Sequence, residues 1–162
     1  MARAALKSPI RAKSDAPAER LVLERFVPYR LSILSNRVSR AIAARYARTF
    51  DLTIPEWRVI AVLGRRTGLS ATEIAEATEM DKVAVSRAVA RLVGARRVAA
   101  TIDAQDARRQ SLALTAVGAA VHAKIAPIAL ACEERLLASL DRRERAALDA
   151  LLDRLLAAAQ RL

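Results

Sequence analysis

Cysteine is nearly missing from this chain. Cys132 stands alone among 162 residues, so no disulfide forms within it. Histidine is as scarce, with only His122, and no cluster of His, Cys, Asp and Glu has metal-ligand spacing. No Ser–His–Asp array, glycine-rich phosphate loop or pair of catalytic carboxylates emerges. An enzyme is therefore not expected, and no cofactor or metal is expected. Aromatic residues make up 3% and glycines number four, while Ala and Leu dominate, which predicts a mainly helical chain. No apolar run approaches the roughly 18 residues of a membrane span. The N-terminus lacks the compact apolar core of a secretory signal. The expectation is a cytoplasmic protein with no membrane partner. Acidic residues are outnumbered, 17 against 28 basic ones, for a net charge of +11. That excess points to a polyanion such as DNA, RNA or an acidic membrane surface, although an arginine-rich soluble protein would share it.

Residues 1–19 mix Ala, Ser, Pro, Lys and Arg without periodicity and read as a flexible basic arm. Residues 20–162 read as one domain. From about Leu21 to Phe50, Leu31, Leu34, Val38, Ala41, Ile42 and Tyr46 follow the helical rhythm, with Pro28 marking a kink or a restart. Thr53 with Glu56, and Ser70 with Glu73, are capping-box signatures that start two helices. Asp81 caps a third helix, about Lys82 to Ala95. Val98–Ile102 and Gln110–Leu114 flank a polar segment of seven residues, as in a β-hairpin. Thr115 opens a long amphipathic helix to about Leu140, with Pro127 as a bend. Asp141 and Glu144 cap the last helix, whose Leu148, Leu151, Leu152, Leu155 and Leu156 form an apolar stripe. Segments 20–50 and 116–162 thus bracket a unit at 53–115. Their stripes exceed what one small domain covers, which predicts a two-fold dimer.

In the helix starting at Lys82, Val85, Ala88, Val89 and Leu92 occupy the core face. Arg87 falls opposite, flanked by Ser86 and Arg91, with Lys82 in the first turn. Arg bridges guanine O6 and N7, and Ser bonds a base edge or a phosphate. The small Ala84 lets the helix backbone approach the groove. Ser70 and Thr72, at the start of the preceding helix, join this candidate surface. Arg108 and Arg109 stand at the hairpin tip, where they fit a narrow minor groove, and Asp106 is placed to hold one guanidinium. A solvated charged face is the plain alternative for each. Together the pieces read as helix, turn, helix and wing: a mainly α, winged helix-turn-helix with long N- and C-terminal dimerisation helices and a small β-hairpin wing. The expected partner is double-stranded DNA.

This order resembles the MarR family of winged-helix regulators. The matching residues are Leu52-Thr53 with Trp57, Gly68-Leu69-Ser70, Glu73-Ile74-Ala75, Asp81-Lys82 with Val85-Ser86-Arg87, Leu92, Asp103 with Asp106 and Arg108, and Leu114-Thr115 with Gly118. The resemblance implies a homodimer on a pseudo-palindromic operator, usually a repressor released by a small, often aromatic and anionic ligand. Three departures stand out. Arg96 occupies a position the family usually gives to Gly, Ala100 one that often holds an Arg bracing the wing, and Ala104 a common Pro. Arg97 or Arg109 is the expected substitute brace. The resemblance also implies an effector pocket between the dimer helices and the DNA-binding lobe. Trp57 fits a wall of it, and Arg30 and Ser35 would receive a carboxylate. Trp57 as a core anchor and Arg30 as a surface charge are the plainer readings, and Cys132 reads as buried filler. A nonspecific, nucleoid-like or RNA-binding protein is the alternative function.

Overall fold

A computed structural model describes residues 20–102 and 110–162. The residues expected to form the basic arm, 1–19, and the hairpin tip, including Asp106, Arg108 and Arg109, lie outside the described residues. The chain divides at Leu34 into two compact units, and each is treated by itself.

In the first unit, Leu23–Arg25 form a short 3-10 turn, and helix α1, Val27–Phe50, begins directly after it. Pro28 sits in the first turn of α1, where its missing N–H costs no bond. The helix therefore restarts there instead of running unbroken from Leu21. Leu21, Phe26, Val27, Tyr29, Leu31 and Leu34 are all exposed.

The second unit holds the rest of α1, then α2 (Ile54–Arg65), α3 (Ala71–Thr78), α4 (Lys82–Gly94), β1 (Val98–Ile102), β2 (Gln110–Leu114), α5 (Ala116–Leu137) and α6 (Arg142–Ala159). Local chemistry sets the helix starts. Thr53, Ser70 and Asp141 each accept from the N–H three residues on, and Glu56, Glu73 and Glu144 return the bond to the cap's own N–H. Asp81 accepts from Val83 N at 2.9 Å and Ala84 N at 3.1 Å, which closes the start of α4.

Helices α2, α3 and α4 pack on one another and on the hairpin around a core of Val59, Ile60, Ile74, Val85, Leu92, Val98 and Leu112. Each such side chain contributes about 1.5–3 kcal/mol through burial. The strands pair antiparallel, with Val98 opposite Leu114 and Ile102 opposite Gln110. The loop before α3 adds a third edge. Gly68 N donates to Leu112 O and Leu112 N donates to Leu69 O, both at 2.9 Å. Gly68 makes that approach with φ of +80°, a conformation glycine adopts without a Cβ clash. At the other end of the hairpin, Thr115 donates through its hydroxyl to Arg96 O at 2.7 Å. A Cβ on Gly118 would stand 2.0 Å from Arg97 O, so α5 enters this corner only with glycine there.

Helix α5 gives Gly118, Val121 and Ile125 to the core, whereas α6 has no buried residue. Leu151, Leu152, Leu155 and Leu156 of α6 are exposed, as are Leu130 and Leu136 of α5. By length and composition alone, α5 is apolar enough to cross a membrane.

Candidate nucleic-acid interface

The exposed face of α4 is assembled by its buried one. Val85, Ala88, Val89 and Leu92 are seated in the core. Helical geometry then turns Val83, Ser86, Arg87 and Ala90 outward, with Lys82 beside them, and all five are exposed. Ala84 is half-buried. The chain therefore presents a cation, a hydroxyl, a second cation and small apolar side chains on one helical surface.

Arg91 borders this face and is tied down. Its Nε lies 3.0 Å from Glu56 Oε1. Glu56 is only 3% exposed, and its other carboxylate oxygen accepts from the Thr53 N–H and hydroxyl, each at 2.7 Å. One carboxylate thus closes the α2 cap and clamps α4. The Arg91 side chain remains 58% exposed, so its remaining guanidinium edge stays available to solvent. Thr53, Pro55, Glu56, Ala84, Arg87 and Arg91 line an open groove of about 300 Å³ between the two helices.

On α3, Thr72 is exposed in the first turn. The Ser70 hydroxyl is engaged in its cap, donating to Glu73 Oε2 at 2.8 Å and accepting from Glu73 N at 3.2 Å. The turn into α4 passes through Glu79, with φ of +50°.

Arg97, one expected brace of the wing, goes elsewhere. Its guanidinium donates to Phe50 O and, at 3.3 Å, to Asp51 O at the end of α1. Those carbonyls form the negative end of the helix dipole, which favours a cation. Arg96 takes φ of +55° in the position where the family resemblance leads one to expect glycine.

The expected effector residues fall in different units. Arg30 is exposed on α1 in the first unit, and Ser35 is exposed in the second. Trp57 is half-buried and packs on Tyr46 and on His122, with ring centroids 5.9 Å apart in both pairs. Tyr46 is 1% exposed, and its hydroxyl has no hydrogen-bond partner among the described residues. Burial pushes its pKa up to about 12, with Glu56 adding to the rise and Arg58 opposing it. Cys132 is half-buried rather than buried, and its Sγ accepts from Arg45 Nη1 at 2.9 Å. Among the described residues no group of His, Cys, Asp and Glu could hold a metal ion.

Sequence reasoning missed two residues. Val83 is exposed on the outward face of α4, in its first turn, a signal legible as an apolar residue off the core stripe. Glu56 was legible as a cap, but no local pattern announces a partner 35 positions away.

Three helices, a turn between the second and third, and a paired hairpin closing on the core define a winged helix-turn-helix. The sequence profile of the MarR family matches residues 50–109, which span that unit from the end of α1 to the wing. Over those residues the chain is similar to the MarR family. The fold agrees. A MarR/EmrR-family transcriptional regulator from Acinetobacter sp. ADP1 superposes with a TM-score of 0.80 at 25% identity, covering 88% of this chain and 100% of that one. A MarR-family transcriptional regulator from Silicibacter pomeroyi does so with a TM-score of 0.73 at 25% identity, covering 84% and 91%. The Staphylococcus aureus MepR–DNA complex shares the fold, with a TM-score of 0.75 at 23% identity over 83% of this chain and 98% of that one. No curated protein matches the chain.

Proposed function

We propose that the protein is a homodimeric, cytoplasmic transcription regulator that binds a pseudo-palindromic operator as a repressor. Ser86 and Arg87 read base edges in the major groove. Lys82, Arg91, Ser70 and Thr72 meet the backbone, Ala84 permits close approach, and Arg108 and Arg109, steadied by Asp106, enter the minor groove. The observation that carries this reading is the outward face of α4, fixed by the buried residues behind it and by the Asp81 cap. The net charge of +11 supplies the phosphate attraction. The shared fold with MepR, solved in complex with DNA, supports the same docking.

The exposed leucines of α6 and the exposed apolar residues before Leu34 support a second copy as the cover for these surfaces. A small aromatic carboxylate is proposed to bind near Trp57, with Arg30 and Ser35 as its polar partners, and to release DNA. Any such ligand shifts DNA affinity only by its differential affinity for the two states.

Footprinting on duplexes from a random-sequence selection tests the reading. A discrete two-fold protected site, together with a dimer in sedimentation at micromolar concentration, is the expected result. Uniform coating of any duplex would favour the nonspecific binder instead. A folded monomer at that concentration would remove the two-fold operator from the account.

A further inference from the structure

Val83 has no structural reason to be apolar. It is 54% exposed and absent from the core, and it lies about two and a half turns before the buried Leu92, on the opposite side of the helix. Valine is also a poorer helix former than the alanines around it. Its neighbours on that face are Ser86, Arg87 and Ala90, all exposed. Its placement is rigid. The Asp81 carboxylate accepts directly from the Val83 backbone N–H at 2.9 Å, and a β-branched side chain in a helix is held to one strongly preferred rotamer. A fixed pair of methyl groups therefore projects from the first turn of α4, one turn before the Arg87 guanidinium.

In the major groove, thymine is the base that presents a methyl group, and it is read by apolar contact. We propose that Val83 reads the 5-methyl group of a thymine in each half-site. The inference rests on the DNA reading above and deepens it. Four residues of helix advance about 6 Å, and base pairs stack about 3.4 Å apart, so this thymine lies within about two steps of the base met by Arg87. The pairing is a specificity device. Because both methyl surfaces are wet in the free molecules, the contact adds to binding without being needed for folding.

Deoxyuridine differs from thymidine by that methyl alone, which makes the test direct. A duplex is obtained by selection from a random library with the full-length protein, and each of its thymines is replaced singly by deoxyuridine. Affinities of the wild type and of Val83→Ala are then measured at fixed salt. The expected result is one thymine position per half-site where deoxyuridine weakens the wild type about fourfold, the worth of one buried methyl-sized group. Val83→Ala should bind thymine and deoxyuridine equally there, with a melting temperature no lower than that of the wild type. If no replacement weakens the wild type, or if Val83→Ala keeps the same loss, Val83 does not read the methyl, while a selected site would leave the DNA reading standing. If selection enriches no sequence, both readings fall together.

Discussion

Three helices of this chain end on residues that carry positive φ without being glycine: Asp51 at +46°, Glu79 at +50° and Arg96 at +55°. Each is followed by an N–H that reaches back five residues: Leu52 to Ala47 O, Met80 to Ala75 O and Arg97 to Leu92 O. That closure satisfies terminal carbonyls, and it usually employs glycine because a Cβ is costly in the left-handed region. At Arg96 the side chain is exposed, and among the described residues the backbone alone makes its bonds. Arg96→Gly should therefore stabilise the protein by about 1 kcal/mol, read as a higher urea midpoint at fixed protein concentration. A lower midpoint would show that the arginine side chain outweighs its backbone strain. Tyr46 supplies a second residue-scale test. Its pKa is raised to about 12 from 10.0, chiefly by burial. Below pH 10 the phenol is neutral in both states and its contribution is fully present. Between about pH 10 and 12 the unfolded chain loses the proton while the folded one keeps it, so stability falls as pH rises. Tyr46→Phe should lack this part of the alkaline decline and should be at least as stable at pH 7, since it removes a buried hydroxyl with no partner among the described residues. An identical alkaline profile for both proteins would contradict the account.

At the scale of elements, the Glu56 carboxylate joins the start of α2 to the recognition helix. Removing Arg91 leaves that buried group with Thr53 alone and should cost about 1–2 kcal/mol. Because both partners belong to one network, Arg91→Ala and Glu56→Gln should be non-additive in the double variant. Arg91→Ala should also lower the salt slope of DNA binding by about one, as the exposed guanidinium edge is placed for a phosphate. Additive stabilities, or an unchanged slope, would each remove one half of that claim. The same residues show what the sequence made legible. The starts of α2, α3 and α6 could be read because a cap and a glutamate three residues later are local chemistry. The hairpin could be read because turn residues separate two short β-prone runs. The Glu56–Arg91 clamp, the Arg97 bonds to the end of α1 and the half-exposed setting of Cys132 could not. They depend on which surfaces tertiary packing brings together, and no spacing rule encodes that.

For the molecule as a whole, the fold separates two tasks. The core fixes α4 from behind, and charge brings a polyanion toward it from in front. Attraction to phosphate is sequence-independent, so the +11 net charge alone would give nonspecific binding. In the proposed reading, discrimination comes from side chains on the outward face of α4, above all the exposed Arg87. The most direct measurement is the affinity of the wild type and of Arg87→Ala for a selected operator and for random duplex, at one salt concentration. Loss of a bidentate base contact costs about 1–3 kcal/mol. Arg87→Ala should therefore bind the operator roughly 5- to 150-fold more weakly, with a much smaller loss on random duplex. An unchanged ratio between operator and random DNA would contradict the assignment of base reading to this face.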